Sequence, residues 1–115
     1  PSFPVIQLDN PSATRINAAH LQITFKIIGD QIPDTQMIVA KIQLTPPGFK
    51  SHRGRFRNYV GTSTDDNHVS FIIHDYRTVS GLDLNEYQVH LKHFLIDADS
   101  GHRSKEISQA LKVRI

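Results

Sequence analysis

The C-terminal stretch from Leu82 to Ile115 constrains the fold more than any other part of this chain. Apolar side chains occupy nearly every second position in two runs, the first ending at Leu91 and the second at Ile115. Such alternation predicts β-strands that bury one face. The Asp, Ser and Gly residues of 97–101 lie between the two runs and mark a turn. The stretch therefore predicts a hairpin that forms part of an all-β protein.

Earlier segments repeat this alternation and bring the predicted number of antiparallel strands to about seven. The segment 1–11 contains three prolines and is predicted to be an edge strand, because proline donates no ladder hydrogen bond. The segment 61–67 is predicted to be a polar turn, and no segment favours an amphipathic helix. The predicted core consists of Leu21, Ile23, Phe25, Ile38, Ala40, Ile42, Val69, Phe71, Ile73, Tyr87, Val89, Leu91, Leu111 and Val113.

Composition limits the functions that the chain can have. Its 115 residues fit one domain, spanning 1–115, and the 38% hydrophobic and 21% charged residues are typical of a folded protein. The net charge of +2 is too small to indicate nucleic-acid binding, and no apolar run is long enough for membrane insertion. Cysteine is absent, which excludes disulfides, thiolate zinc sites and cysteine nucleophiles. The chain starts at Pro1, which indicates a processed protein or an excised domain.

The segment 50–60 is the strongest charge feature. Its alternation predicts Phe56, Asn58 and Val60 facing inward, with the arginines and Tyr59 facing outward. The planar guanidinium group of arginine can bind phosphate, sulfate or carboxylate groups through several hydrogen bonds. The rings of exposed tyrosines can stack on sugars. The alternative, which we favour, is an edge strand that is protected from aggregation by charge. The candidate ligand-binding residues are Arg53, Arg55, Arg57, Tyr59 and Tyr76.

The turn residues Asp97 and Asp99 are candidate metal ligands, because two carboxylates near Gly101 look like the start of a calcium loop. An EF-hand loop would need an acidic twelfth residue, and that position is Ser108. A calcium site would therefore have to recruit carboxylates from another loop. The favoured alternative is a plain turn in which Asp accepts backbone N–H bonds. No cofactor is predicted beyond this candidate calcium ion.

Catalytic motifs are lacking in this sequence. The seven histidines show no zinc-protease spacing, and we expect them to be scattered over the surface. The Gly-x-Ser-x-Gly motif that carries the nucleophile of many hydrolases is absent. Glu86 and Glu106 are the only glutamates, so a glutamate pair for glycoside hydrolysis would need these two residues to lie together. The chain is therefore not predicted to be an enzyme.

The apolar pattern of 82–91, with Tyr87 inside it, and the following turn resemble fibronectin type III and bacterial immunoglobulin-like modules. The resemblance implies a tyrosine corner, in which the Tyr87 hydroxyl bonds to the backbone just upstream. These modules usually carry a tryptophan on an early strand, whereas this chain has none, so Phe25 would have to fill that volume.

The resemblance implies an all-β, immunoglobulin-like (fibronectin type III-like) β-sandwich of about seven antiparallel strands. It also implies a non-catalytic structural, adhesion or protein-interaction module of a larger or exported protein. The partner would be another protein or a neighbouring domain, and the location secreted, periplasmic or cell-surface. The alternative is a carbohydrate-binding module that recognises an anionic or neutral glycan.

Tyr87→Phe tests the tyrosine corner. Loss of one hydrogen bond should lower the free energy of unfolding by about 1 kcal/mol. Thermal or chemical denaturation measures this change, and an unchanged melting midpoint would count against the corner.

Overall fold

The computed structural model describes residues 2–45, 57–65, 67–74 and 86–115. These residues form eight β-strands and no helix. None of them therefore belongs to a helix that could cross a membrane. The strands are β1 (Ile6–Asn17), β2 (His20–Gly29), β3 (Gln36–Thr45), β4 (Arg57–Val60), β5 (Thr62–Asp65), β6 (His68–Ile73), β7 (Glu86–Asp97) and β8 (Ile107–Arg114).

The strands form two antiparallel sheets, with the orders β1-β2-β6-β5 and β4-β3-β7-β8. In the immunoglobulin fold, strands A, B, E and D form one sheet and C, F and G the other, to which some members add C′. When β1 to β8 are lettered A, B, C, C′, D, E, F and G in chain order, the two sheets have the orders A-B-E-D and C′-C-F-G. The predicted fold class, an all-β immunoglobulin-like sandwich, is therefore confirmed. The described residues form eight strands rather than about seven, because β5 forms where the sequence predicted a polar turn.

The inner faces of the two sheets form one hydrophobic core. Every predicted core residue is buried except Leu111, which is partly exposed. Phe25 is completely buried, and its ring meets that of Phe71 edge-to-face with 5.9 Å between the ring centroids. The core also contains Ile6, Leu8, Leu44, Tyr59 and Leu95, which the alternating pattern alone did not assign to it.

The predicted orientation of β4 is wrong. Tyr59 pairs with Ala40, whose side chain points into the core, and only 5% of Tyr59 is exposed. Asn58 and Val60 face the solvent instead, and 58% of Val60 is exposed. The four residues of β4 are two polar ones followed by two apolar ones, which does not fix the phase of the strand, so pairing with β3 decides which face is buried. Phe56 lies outside the described residues.

The edge strand β1 contains a bulge. Its pairing with β2 shifts register between Asp9 and Ser12, and Asn10 adopts a left-handed backbone conformation with φ of 49°. Asn tolerates that conformation better than most residues. Pro11 follows at a point where the ladder is already interrupted, so its missing N–H costs little. The predicted edge position of this segment is confirmed.

Gly61 alone connects β4 to β5, which lie in different sheets. Its N–H donates a hydrogen bond of 2.8 Å to the Ile38 carbonyl oxygen. A Cβ atom at this position would overlap Val69 Cγ2 and lie 3.1 Å from Phe71 Cε1. The chain can therefore cross between the sheets here only because the residue has no side chain.

Gly61→Ala should destabilise the domain by about 1–3 kcal/mol, because the added methyl group must displace a close-packed core side chain. Chemical denaturation measures the change in the free energy of unfolding. The same substitution should cost less in a Val69→Ala background, from which the overlapping methyl group is gone. Equal costs in the two backgrounds would contradict the close approach.

Candidate functional site

Of the five basic and aromatic candidates, Arg57 and Tyr59 lie within the described residues. Arg57 is exposed on the edge strand β4, whereas Tyr59 packs into the core. The Tyr59 ring meets the His74 ring edge-to-face at 5.5 Å between centroids. A ring buried in this way cannot stack on a sugar, so its predicted exposure is wrong. Ligand binding by Arg57 stays a prediction, and Arg53, Arg55 and Tyr76 lie outside the described residues.

Asp97 closes the turn between β7 and β8. Its Oδ1 atom accepts hydrogen bonds from the backbone N–H groups of Asp99 at 2.9 Å and Ser100 at 3.0 Å. These bonds, chiefly the one from Ser100, lower the pKa of Asp97 because they favour the charged carboxylate. Gly101 takes the left-handed conformation, with φ of 75°, and donates its N–H to the Asp97 carbonyl oxygen at 2.8 Å. This geometry is that of the plain turn.

Calcium binding by Asp97 and Asp99 stays a prediction. In the described part of the chain, no three His, Asp or Glu side chains lie close enough together to hold a metal ion. Asp65, one carboxylate that could have joined them, accepts a bond of 2.9 Å from His68 Nδ1 and one of 2.7 Å from the Asn67 N–H. The pKa of Asp65 is lowered mainly by the hydrogen bond from His68 and also by the one from the Asn67 N–H.

His93 is buried, with only 1% of its surface exposed, so the predicted surface position is wrong for this histidine. Its Nε2–H donates a hydrogen bond of 2.6 Å to Gln109 Oε1. Burial disfavours the imidazolium ion and lowers the pKa of His93, although the bond to Gln109 partly opposes this shift. The ring is therefore held in its neutral form at neutral pH.

Gln109 of β8 joins the two sheets at their adjacent edges. Its side-chain oxygen accepts a bond of 3.0 Å from the Leu8 N–H, and its side-chain nitrogen donates one of 2.9 Å to the Leu8 carbonyl oxygen. The carboxamide thus occupies the place that a peptide group of a neighbouring strand would take. We call this contact, supported by His93, the carboxamide bridge. It closes the edge of β1 at Leu8 against pairing with another chain.

The outer face of the second sheet carries an apolar patch. The register aligns Val60, Val39 and Phe94 in one row across three strands, and Met37 and Ile96 in the next row. Val60 and Met37 are exposed by 58% and 42%, whereas Val39 and Phe94 are nearly buried. We call these five residues the outer patch. Exposed apolar side chains such as Met37 and Val60, which adjoin further apolar residues on the same face, are candidates for a contact surface.

A basic row borders the outer patch. Lys41 lies directly opposite Lys92 on the neighbouring strand, one row away from Val39 and Phe94. Like charges in directly opposed positions destabilise a sheet. Glu106 partly offsets this repulsion with an ion pair to Lys41 at 3.5 Å. The patch therefore has a positively charged margin.

Sequence reasoning missed the outer patch, although a signal was present. The run Met37–Ala40 is continuously apolar, as are the residues 94–96 of β7. A strand with one solvated face alternates, so a continuous apolar run indicates that both faces contact apolar groups. The carboxamide bridge gave no local signal, because Leu8 and Gln109 are 101 positions apart.

No family model matches the chain. No curated protein matches it either. Among solved structures, it is similar to the crystal structure of AggA, the major subunit of aggregative adherence fimbriae type I from Escherichia coli. The sequence identity is 12%, over 96% of this chain and 93% of AggA, with a TM-score of 0.39.

Lowering the pH from about 7.5 to about 5 should destabilise the folded state through His93. The unfolded chain binds a proton near pH 6.5, whereas the buried ring, whose pKa is lowered, binds it only at a lower pH. The stabilising contribution is therefore complete above about pH 6.5 and is lost as the pH falls below it. We expect the melting temperature to fall over this range.

His93→Gln retains an amide donor near Gln109 but does not titrate, so its melting temperature should depend less on pH. His102→Gln, which removes an exposed histidine, is the matched control. The same pH dependence in His93→Gln as in the wild type would contradict the assignment. Asp65 and Asp97, with their lowered pKa values, lose their contributions only below about pH 4, outside this range.

Proposed function

We propose that this domain is a non-catalytic structural or protein-interaction module that contacts another protein or a neighbouring domain through the outer patch. The observation that carries the proposal is the exposure of Met37 and Val60 in continuous register with Val39, Phe94 and Ile96. Apolar side chains at the centre of a surface with a charged margin are typical of protein contacts.

The polar residues of the described chain support a structural role. Asp97 closes a turn, Asp65 holds the β5–β6 connection, and His93 supports the carboxamide bridge. Each of these side chains has its pKa shifted by the contact that it makes in the fold or by burial. Shifted pKa values also occur at catalytic sites, but here structural hydrogen bonds and desolvation account for them.

The domain is proposed to belong to the immunoglobulin-like, fibronectin type III-like superfamily and to act in a secreted, periplasmic or cell-surface protein. The order of strands in the two sheets supports the superfamily. A glycan is the alternative ligand. The burial of Tyr59 favours a protein partner over a glycan, since it removes one of the two aromatic rings of the candidate sugar site.

Charge introduced into the outer patch should abolish partner binding and leave the fold intact. Met37→Lys combined with Val60→Lys places two cations at exposed positions, where substitutions usually change the free energy of unfolding by less than about 0.5 kcal/mol. Affinity purification from the source cells, with quantitative mass spectrometry, would compare this variant with the wild-type domain. We expect at least one protein to lose about tenfold or more of its recovery.

Ile16→Lys combined with Ile28→Lys is the matched control, because it adds two cations at exposed apolar positions of the first sheet. Any protein whose recovery falls with the patch variant should be recovered with this control as well as with the wild-type domain. It should also bind the purified wild-type domain directly. Equal recovery with all three baits, or loss with the control alone, would contradict the outer patch as the contact surface.

A further inference from the structure

A groove opens where the edge strands β1 and β8 separate. The carboxamide bridge holds these edges together at Leu8 and Gln109. Residues 3–6 form one wall of the groove, and Arg103, Ser104, Lys105 and Ile107 form the other. The volume of the groove is about 330 Å³. It lies beside the core and opens to the solvent through Val5, which is exposed by 73%.

A local irregularity creates the β8 wall. Three steps along β7, from His93 to Ile96, correspond to four steps along the partner segment, from Ile107 to Arg103. One extra residue in an antiparallel pair bends the chain away from its neighbour. The segment returns to β7 where the Ser104 N–H donates to the Leu95 carbonyl oxygen at 2.8 Å and the Ser104 hydroxyl accepts from the Leu95 N–H at 2.7 Å.

The interior of the groove is apolar. Ile6 and Phe94 are almost completely buried, whereas Val5 is at the mouth. The apolar surface that remains in contact with water belongs to the exposed Val5 and to the partly exposed Phe3 and Ile107, and covering it is favourable. The apolar side chains that line the groove are Phe3, Val5, Ile6, Phe94 and Ile107.

Two cations line the same groove. The Arg103 guanidinium lies over the Phe94 ring, 5.1 Å from its centroid, which fixes a positive charge beside the apolar interior. Lys105 follows on the same wall. No Asp or Glu lines the groove, and neither cation has a carboxylate partner among the described residues.

We propose that this groove binds a small soluble amphiphile that has a short alkyl chain and an anionic head group, such as a medium-chain carboxylate. The alkyl chain would cover the apolar interior, and Arg103 and Lys105 would bind the head group. A guanidinium fork matches a carboxylate with two parallel hydrogen bonds. The volume is at the lower end of the range of about 300–1,000 Å³ for ligand sites, so the groove has room for a single short chain.

The groove overlaps the outer patch at one residue, Phe94. It does not depend on the proposed protein contact, so either can fail without the other.

Titration of the ¹⁵N-labelled domain with octanoate, followed by amide chemical shifts, tests the proposal. We expect saturable shifts confined to 3–6, 93–95 and 103–107. Octanol and octylammonium are neutral and cationic probes of the same chain length. Both should bind at least about tenfold more weakly, because they lack the charge that Arg103 and Lys105 complement. Octanol binding as tightly as octanoate, shifts elsewhere, or no saturable binding would overturn the proposal.

Chain length provides a second measurement. Each buried methylene group should tighten binding about fourfold, so octanoate should bind roughly fifteenfold more tightly than hexanoate. Equal affinities would mean that the alkyl chain stays in solvent, which would overturn the proposal.

Arg103→Gln combined with Lys105→Gln should weaken octanoate binding at least about tenfold. Lys112→Gln, which removes an exposed cation of β8 outside the groove, should leave binding unchanged. If the double variant is poorly folded, Val5→Glu gives the same test, because it places a negative charge at the exposed mouth and should also weaken binding. Unchanged affinity in a folded groove variant would overturn the proposal.

Discussion

The antiparallel pairing of β3 with β7 determines where the surfaces of this domain lie. Ten successive residue pairs, from Gln36 with Asp97 to Thr45 with Gln88, keep one register without a shift. Because side chains alternate between the two faces of a strand, this register buries Ala40 and sends Val39 outward beside Phe94. A slip by one residue would exchange the core with the outer patch. The core, the patch and its basic margin are thus consequences of one alignment.

The three side chains whose pKa values are shifted, Asp65, His93 and Asp97, all make the folded state less stable as the pH falls. Asp65 and Asp97 are stabilised as carboxylates by hydrogen bonds, whereas His93 is kept neutral by burial. In all three cases the folded state binds protons less readily than the unfolded chain. Acidification therefore weakens the domain first through the histidine and then, at lower pH, through the carboxylates. A module built in this way is most stable near and above neutral pH.

Much of the fold could be predicted from the sequence because a half-buried strand shows apolar residues at every second position. Residues such as Ile23, Val69 and Val89 alternate with polar neighbours, and all are buried. The orientation of Tyr59 could not be obtained in this way, because β4 is short and fits either phase until it pairs with β3. Whether His93 is exposed depends on what covers it from another strand.

The candidate sites were harder to predict than the fold for the same reason. The turn hydrogen bonds of Asp97 could be expected from the sequence, since they reach only two and three positions along the chain. The carboxamide bridge and the groove need β1 and β8 to meet, and no spacing within either segment indicates that they do. The outer patch was visible in the continuous apolar runs of β3 and β7, but only the register shows that the two runs are neighbours.

The carboxamide bridge has a mechanical consequence. Residues that precede Leu8 lie beside residues that precede Gln109, so β1 and β8 run in the same direction where they meet. Tension that pulls the start of β1 away from the end of β8 therefore acts along the strands, and both bonds of the bridge are loaded at once. A hairpin pulled open from its end breaks its bonds one after another. The edges of this sandwich are thus arranged to resist sliding past one another, and the two hydrogen bonds of Gln109 contribute to that resistance.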